Sequence, residues 1–558
     1  MKKSTNKKLD GITRKNDFSR PNIILILADD MGYSDIGCFG GEIKTPNLDG
    51  MAATGIRMSQ FYNTARCCPS RASLLTGLNP HQAGIGHMTN DYGFDGYRGY
   101  LNANSVTIAE VLSANGYRTQ MSGKWHVGGE VDIQDRDSWS TAGEPGKPTP
   151  TQRGFQHYFG TLSGGGNYFN PRTLMKDESF IDSIDEDFYY TDEISNHAVE
   201  MIRDSAKEKR PFFSYIAYTA PHWPLHAREE DIGMYEGTYL KGWDEFRTAR
   251  HESLKDNGVL SDEWEITARD VSAPPWESIE HKIWEAQRMA VYAAQVSSLD
   301  RGVGKIINEL KNIDQLDNTL IIFLSDNGGC AEYLKPKSNS SDKLMFDYTL
   351  RDGTLPVMGN VVDLKPGSEN TFQSYDLPWA NVSNSPFRLY KHWLHEGGIS
   401  APCVIQWPKR IKGSAISHQP AQLMDLTATI FDAANTKYPK EYEGNVITPC
   451  EGESFLSIID GTSWSKSTPL FWEHEGNCAI REGDWKLVRR FNQDWELYNL
   501  ESDRTETVNL ASTERIRVER MAELWQKWAN NSNVMDWPVN NYKMGAAPVQ
   551  DSNVHGVG

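Results

Sequence analysis

The sequence predicts an α/β chain: a large, mostly parallel sheet flanked by helices, then a smaller C-terminal antiparallel sheet with one helix. Three observations carry that expectation. Short, continuous apolar runs are expected of strands buried on both faces. Here they alternate with amphipathic helical segments, the βαβα pattern of an open parallel sheet. From about Pro469 the chain instead reads as short alternating strands closed by one amphipathic helix.

The elements follow in order. Asn22 to Ala28 (NIILILA) is a wholly apolar strand. Thr107 to Gly116 (TIAEVLSANG) reads as a helix closed by glycine and leads into the strand YRTQMSG. His197 to Lys209 reads as a helix feeding the strand FFSYIAY. Ile283 to Leu310 is helical over most of its length and leads into TLIIFLS, Thr319 to Ser325. Beyond Pro469, LFWEHEG, CAIREGDWKLVRR and WELYNL read as strands, and Thr513 to Asn530 as the closing helix. Arg228 to Pro275 and Tyr333 to Trp379 lack clear periodicity and read as long loop insertions, which in compact domains often carry function. The tryptophans in and beside the first, Trp243, Trp264 and Trp276, are expected to pack rather than to form ligand platforms. The expected division is one domain over 21–460 and a small α+β domain over 461–558.

A chain of 558 residues, 38% hydrophobic and 24% charged, can bury a large core and is not disordered in composition. The net charge of -18 argues against nucleic acid as a partner, since phosphate binding needs clustered Lys and Arg. A site for a small anion must therefore carry its own local positive charge. No run approaches the roughly 20 apolar residues of a membrane span. Met1 to Arg20 is polar and basic without an apolar stretch and does not read as a signal peptide. The expectation is a cytoplasmic protein, or a periplasmic or secreted one whose leader has been removed. The 7 cysteines form no disulfide framework. Cys38, Cys330, Cys403, Cys450 and Cys478 are scattered singly and read as buried thiols.

Four apolar strands run into polar clusters at their C-terminal ends. NIILILA ends in Asp29-Asp30, YRTQMSG in Lys124-Trp125-His126, and TLIIFLS in Asp326-Asn327-Gly328-Gly329. FFSYIAY is followed, after Thr219, by Ala220-Pro221-His222-Trp223-Pro224. Ligands of open parallel sheets bind outside the carboxyl ends of the strands, so these clusters are expected along one sheet edge. Asp29, Asp30, Asp326 and Asn327 offer only oxygen, which suits Ca²⁺ or Mg²⁺ rather than zinc. The competing reading of Asp29-Asp30 alone is a helix cap.

Arg66-Cys67-Cys68-Pro69-Ser70-Arg71-Ala72-Ser73-Leu74-Leu75-Thr76-Gly77 reads as a helix start, with Pro69 in the first turn. Cys67 would sit at the helix N-terminus, where an anion is favoured and a thiol activated. Two buried thiols remain an alternative. Half of a zinc site is a weaker one, because adjacent cysteines lack the usual spacer.

C-x-P-S-R followed by A-S-L-L-T-G resembles the signature of type I sulfatases, in the alkaline phosphatase superfamily. The likeness extends through Ala28-Asp29-Asp30-Met31-Gly32, TPNLDGMAATGIRMSQFYN, SGKWH, APHWP and SDNGG in family order. SPFRLYKHWLHEGGISAPCVIQWP, GYRGYLN, GTLSGGGNYF and GDWKLV resemble the bacterial arylsulfatase branch. The resemblance spans about Pro21 to Leu510 and implies an alkaline phosphatase-like fold. It implies one Ca²⁺ on Asp29, Asp30, Asp326 and Asn327, and a nucleophilic formylglycine made from Cys67 by a maturation enzyme. Arg71 would support that residue, and Lys124, His126, His222 and Lys391 would complete the site.

The implied reaction is hydrolysis of aryl or carbohydrate sulfate esters. One hydroxyl of the hydrated aldehyde attacks sulfur and a covalent sulfo-enzyme forms. His222 and Lys391 help the departing oxygen, and His126 takes a proton so that sulfate is eliminated. A phosphate or phosphonate ester hydrolase of the same superfamily is the alternative; a second-metal set of Asp and His would favour it, and none is obvious. An inactive sulfated-ligand binder would be expected to lack Cys67, a metal Asp or Lys124, and all are present. His81 and His87 are open between pocket lining and structure. His395 is a lesser candidate to reach substrate, and His226 and His392 are given no role.

Overall fold

The computed structural model describes residues 20–129, 131–132, 135–337 and 350–539. The reading of Met1 to Arg20 lies outside the described residues apart from Arg20, as do 338–349 of the second insertion and 540–558 of the C-terminal part.

The strand β1 (Asn22–Ala28) is buried at every position. Its alternation explains why: Ile24, Ile26 and Ala28 enter one core, and Ile23, Leu25 and Leu27 the other. A strand that serves two cores favours apolar side chains at every position. The other strands of the large sheet are β2 (Ile56–Tyr62), β3 (Arg118–Gly123), β4 (His157–Thr161), β5 (Leu174–Lys176), β6 (Ser179–Phe180), β7 (Phe212–Ala217), β8 (Thr319–Ser325), Ser400–Gln406, and the short Ala415–Ser417 and Ala421–Gln422. The order β8-β1-β7-β3-β4 is parallel throughout. Ser400–Gln406 is inserted antiparallel between β8 and β2. The sheet is thus mostly parallel and covered by helices, as expected.

The helix α1 (Pro46–Ala53) precedes β2, and α2 (Cys67–Thr76) follows it. The helix α3 (Ile108–Ala114) starts at a capping box: Thr107 Oγ1 accepts from the Glu110 amide, and the Glu110 carboxylate from that of Thr107. The helix expected at His197 begins seven residues earlier, as Tyr190–Ala206. Lys282–Asn312 matches its expected range within two residues.

The first insertion is not irregular. Trp243–Asp256 is a helix whose buried positions are Trp243, Phe246, Arg247, Arg250, His251 and Leu254. Half of that stripe is Arg or His, which hid its helical period. Arg250 is buried because Asp35 at 2.7 Å and Glu42 at 2.8 Å hold it. Trp243 and Trp276 pack edge to face at 4.7 Å, with Trp379 behind them, so these tryptophans are core. Among the described part of the second insertion, only Val357–Met358, Thr371–Phe372 and the start of the helix Asp376–Ser383 are regular. Cys330, Cys403 and Cys478 are buried, but Cys38 and Cys450 are only half-buried; all 7 cysteines are free.

The C-terminal strands Leu470–His474, Asn477–Glu482, Trp485–Arg489 and Glu496–Asn499 form an antiparallel sheet in that order. One face (Ile480, Leu487, Leu497) takes Met521, Trp525 and Ala529 of the helix Arg515–Asn531. The other (Trp472, Ala479, Val488, Tyr498) packs on Tyr62, Ala65, Leu394 and Ile399 beside the large sheet. No helix among the described residues is long and apolar enough to cross a membrane.

Candidate active site

The parallel register of β1 and β8 pairs Ala28 with Ser325. The residues that follow, Asp29-Asp30 and Asp326-Asn327, therefore lie side by side although 297 positions separate Asp30 from Asn327. The Asp30 amide donates to Asp326 Oδ1 at 3.2 Å, and Asp30 is held in the left-handed region at φ 64. Backbone strain of this kind collects at functional sites. Lys124 leaves β3 with its amide on the Ala217 carbonyl at the end of β7. Lys391 arrives from the loop before Ser400–Gln406, its amide on the Gly329 carbonyl.

Three carboxylates and three cations interlock, all buried. Lys124 Nζ lies 2.5 Å from Asp29 Oδ2, Lys391 Nζ 2.9 Å from Asp30 Oδ2, and Arg71 Nη2 2.8 Å from Asp326 Oδ2. Arg71 also reaches the Lys124 carbonyl at 3.2 Å. Burial would raise the Asp29 carboxyl, but Lys124, His222 and Arg71 outweigh it and hold the group below its usual range. Asp326 goes the other way: burial and Asp29 push it well up, against Arg71. A further positive charge is what would keep all three ionised together.

Two oxygens point to where that charge fits. Asp29 Oδ1 and Asn327 Oδ1 are buried and have no hydrogen-bond partner. The Asn327 amide nitrogen is already committed, to Asp30 Oδ1 at 2.7 Å and the Gly328 carbonyl at 2.9 Å. Buried acceptors left empty are costly, and an all-oxygen set beside three carboxylates suits Ca²⁺.

Cys67 opens α2, with Arg66 as N-cap and Gly77 ending the helix in the left-handed conformation. Its thiol is held well below the usual value by a hydrogen bond from Cys68 and, against burial, by Lys124, Lys391 and His126. Burial and Cys67 push Cys68 well up. The two thiols are thus electrostatically distinct, and Cys67 is the activated one. His126, also at positive φ (56), shares a hydrogen bond with Cys67. Burial and Lys124 lower its imidazole to about 4, so it is neutral at pH 7. His222 donates Nδ1–H to the Trp223 carbonyl at 2.6 Å, because a carbonyl can only accept. That leaves Nε2 facing Lys391 Nζ at 3.4 Å and Asp30 Oδ2 at 3.5 Å.

All ten residues singled out from the sequence meet at this edge. Others there were not foreseen. Glu332 joins Arg66 at 3.0 Å and accepts from the Trp223 indole at 2.8 Å. Although burial opposes it, Lys391, Arg66 and His222 drive its carboxyl far below the usual range. Gly164 and Gly165 seat the histidines: a Cβ at Gly164 would lie 2.2 Å from His126 Cε1, and at Gly165 3.2 Å from His222 Cε1. The triple glycine was quoted only as part of a resemblance; the close approach it permits was its readable signal. His81 is wholly buried on Glu473 at 2.7 Å, His226 is buried against the Thr371 carbonyl, and His395 is buried near Glu496. None of these three is open to a substrate.

A family model described as Sulfatase matches residues 21–436, and one described as N-sulphoglucosamine sulphohydrolase, C-terminal, matches 387–533. An uncharacterised sulfatase of Schizosaccharomyces pombe is 32% identical, covering 94% of this chain and 96% of its own. An arylsulfatase of Klebsiella aerogenes is 33% identical, covering 81% of this chain and 94% of its own. Among solved structures, Ps i-CgsB in complex with k-i-k-neocarrahexaose superposes with TM-score 0.64 at 26% identity, over 96% of this chain and 99% of that one.

Proposed function

Given that the chain belongs to the sulfatase family and is a sulfuric ester hydrolase, we propose that it works through a formylglycine made from Cys67 and one Ca²⁺ held by Asp29, Asp30, Asp326 and Asn327. The observation that carries this reading is the pair of unpartnered oxygens, Asp29 Oδ1 and Asn327 Oδ1, beside a buried, activated residue 67. When present, the hydrated aldehyde supplies an oxygen nucleophile and a second hydroxyl through which sulfate can leave, and the cation supplies positive charge beside it.

The chain's own residues do the rest. Lys124, Lys391 and Arg71 place positive charge where a sulfate ester gathers negative charge, in a buried setting that strengthens it. Arg71, fixed by Asp326 and the Lys124 carbonyl, also holds α2 and thereby residue 67 against the sheet. With Nδ1–H kept on the Trp223 carbonyl, His222 must carry a second proton, on Nε2, to hand to the departing alcohol; that step returns the ring to neutral, and its neighbour Lys391 adds charge. His126, neutral and beside residue 67, accepts the proton whose removal lets sulfate go.

Aryl and carbohydrate sulfates are the substrate classes. The similarity to an arylsulfatase and to a structure holding an oligosaccharide supports both. A formylglycine-generating enzyme is the implied partner. Residues 21–460 carry the chemistry on this reading, with 461–558 as the second domain. Peptide mass spectrometry of active enzyme is expected to find an aldehyde at residue 67 and an unchanged thiol at Cys68. An active enzyme with intact Cys67, or full turnover after calcium is removed, would overturn the mechanism. Turnover against a panel of aryl and sugar sulfates then sorts the substrate classes.

A further inference from the structure

A second buried cluster lies where the C-terminal sheet meets the loop that carries Lys391. The hairpin joining Leu470–His474 to Asn477–Glu482 turns at Glu475-Gly476, with φ of 51 and 75. A two-residue turn with both φ positive favours Asn, Asp or Gly at its first position. Glutamate there is unusual, and its carboxylate is surrounded by imidazoles. Glu475 Oε1 lies 2.7 Å from His87 Nε2 and 3.6 Å from His474 Nε2, and Oε2 lies 3.3 Å from His392 Nδ1. His392 also sits at positive φ (88), with its amide on the Ala65 carbonyl at 2.8 Å. The Asn477 amide nitrogen is 3.4 Å from the other His392 nitrogen, too far to lock the tautomer.

His474 is the independent observation. It is 0% exposed, and neither ring nitrogen has a hydrogen-bond partner. A buried imidazole normally bonds through at least one nitrogen. One donor atom each from His392, His474 and Glu475 falls within 4.8 Å of the others. Zinc–nitrogen and zinc–oxygen bonds of about 2.0–2.2 Å in a tetrahedron put neighbouring donors about 3.3 Å apart. The 3.3 and 3.6 Å separations here run to the two different Glu475 oxygens, so the carboxylate would have to turn to offer one of them, or both, to an ion held by the two imidazoles.

We propose that His392, His474 and Glu475 bind a late first-row divalent cation, zinc foremost, with His87 holding Glu475 from outside. Two nitrogens and one carboxylate select such an ion, whereas the all-oxygen strand-end set selects calcium. The ion would clamp the C-terminal hairpin to the residue that follows Lys391. This inference does not depend on the mechanism proposed for the strand-end site.

The test uses the full chain, stripped with chelator, saturated with calcium, then titrated with Co²⁺ and Zn²⁺. The expected result is one Co²⁺ per chain with intense visible bands of low coordination number, displaced by one Zn²⁺. His474→Ala and the near-isosteric Glu475→Gln are expected to weaken zinc about 100-fold or more, and His87→Ala about 10–100-fold, the usual cost of losing an outer partner. If a variant fails to fold, the cobalt spectrum of the unaltered protein still decides. Cobalt bound only with the pale spectrum of an aquo ion overturns the proposal. So does zinc affinity equal in all four proteins, or zinc lost in Asp29→Ala but kept in His474→Ala.

Discussion

Two buried ion clusters flank the strand Ser400–Gln406, and they are finished to different degrees. In the one beneath the C-terminal sheet, both Glu396 oxygens are bound: Oε1 by Lys486 at 2.8 Å, Oε2 by Arg504 at 2.8 Å and the Tyr62 hydroxyl at 3.0 Å. In the strand-end cluster, Asp29 has Lys124 on one oxygen and nothing on the other. Both carboxylates are wholly buried. A buried carboxylate whose acceptors are all filled ties parts of a chain together; one with an empty acceptor is waiting for something. The strand-end cluster is also balanced in itself, Asp29, Asp30 and Asp326 against Lys124, Lys391 and Arg71. A divalent cation added to it gives the local positive charge that a chain of net charge -18 needs to receive an anion.

If that contrast is right, damage to the strand-end cluster should cost activity, and damage to the Glu396 cluster should cost stability. The largest effect is expected for Cys67→Ala, about 10⁴–10⁶-fold in kcat on an aryl sulfate, the scale of losing a nucleophile. Near-normal turnover would remove residue 67 from the mechanism. His222→Ala is expected to lose about 10²–10⁴-fold on sulfates of weakly acidic alcohols and much less on activated aryl sulfates. Kinetics across phenyl sulfates of graded leaving-group acidity test this, and a slope equal to the parent's would reassign the proton donor. His126→Ala should instead release one equivalent of phenol quickly and then stall in sulfate release.

Asp29→Ala is expected to lose calcium by metal analysis and about 10²–10³-fold in activity, comparable to removing one preorganised electrostatic group. Glu396→Gln should do the reverse. It leaves Arg504 without a carboxylate and Lys486 with Glu506 alone, a cost of about 3–5 kcal/mol in denaturant unfolding, with calcium content unchanged. A Glu396→Gln protein that loses calcium but keeps its stability would sink the contrast. The smallest effect is its pH dependence. Against burial, Lys486, Arg504 and Arg481 hold Glu396 down to about 2 from 4.5. A depressed carboxyl stabilises the fold fully above the unfolded value, so its contribution is complete above 4.5 and lost as pH falls toward about 2. Acid titration of unfolding should show this loss in the parent and not in Glu396→Gln.

The strand-end cluster was legible in the sequence because its residues stand directly after apolar runs. A parallel sheet then forces those ends to one edge. Lys391 and Arg71 were different: neither directly follows an apolar strand, and only likeness to family motifs gave them a role. Glu332 gave no signal: it meets Arg66 and Trp223, which the sequence offered only as members of their motifs, through loops whose course no periodicity encodes. The helix Trp243–Asp256 was missed for a separate reason. Its core-facing stripe holds Arg247, Arg250 and His251, buried by partners far off in sequence, such as Asp35 and Glu42. Polar residues that are buried by pairing look exposed until the pairs are seen.

Cys67 is 2% exposed in the folded chain. A thiol closed off this far can be altered by another enzyme only while the chain around it is still open. Asp326, which pins Arg71 of the same helix, lies 255 positions further along. At about 5–20 residues per second, the ribosome needs on the order of 10–50 s to deliver it. That interval is the time during which the helix lacks its anchor and residue 67 stays within reach. If residue 67 is converted as proposed above, slower synthesis lengthens it and should raise the fraction converted. A chain unfolded and refolded without that enzyme returns with whatever residue 67 it already carried.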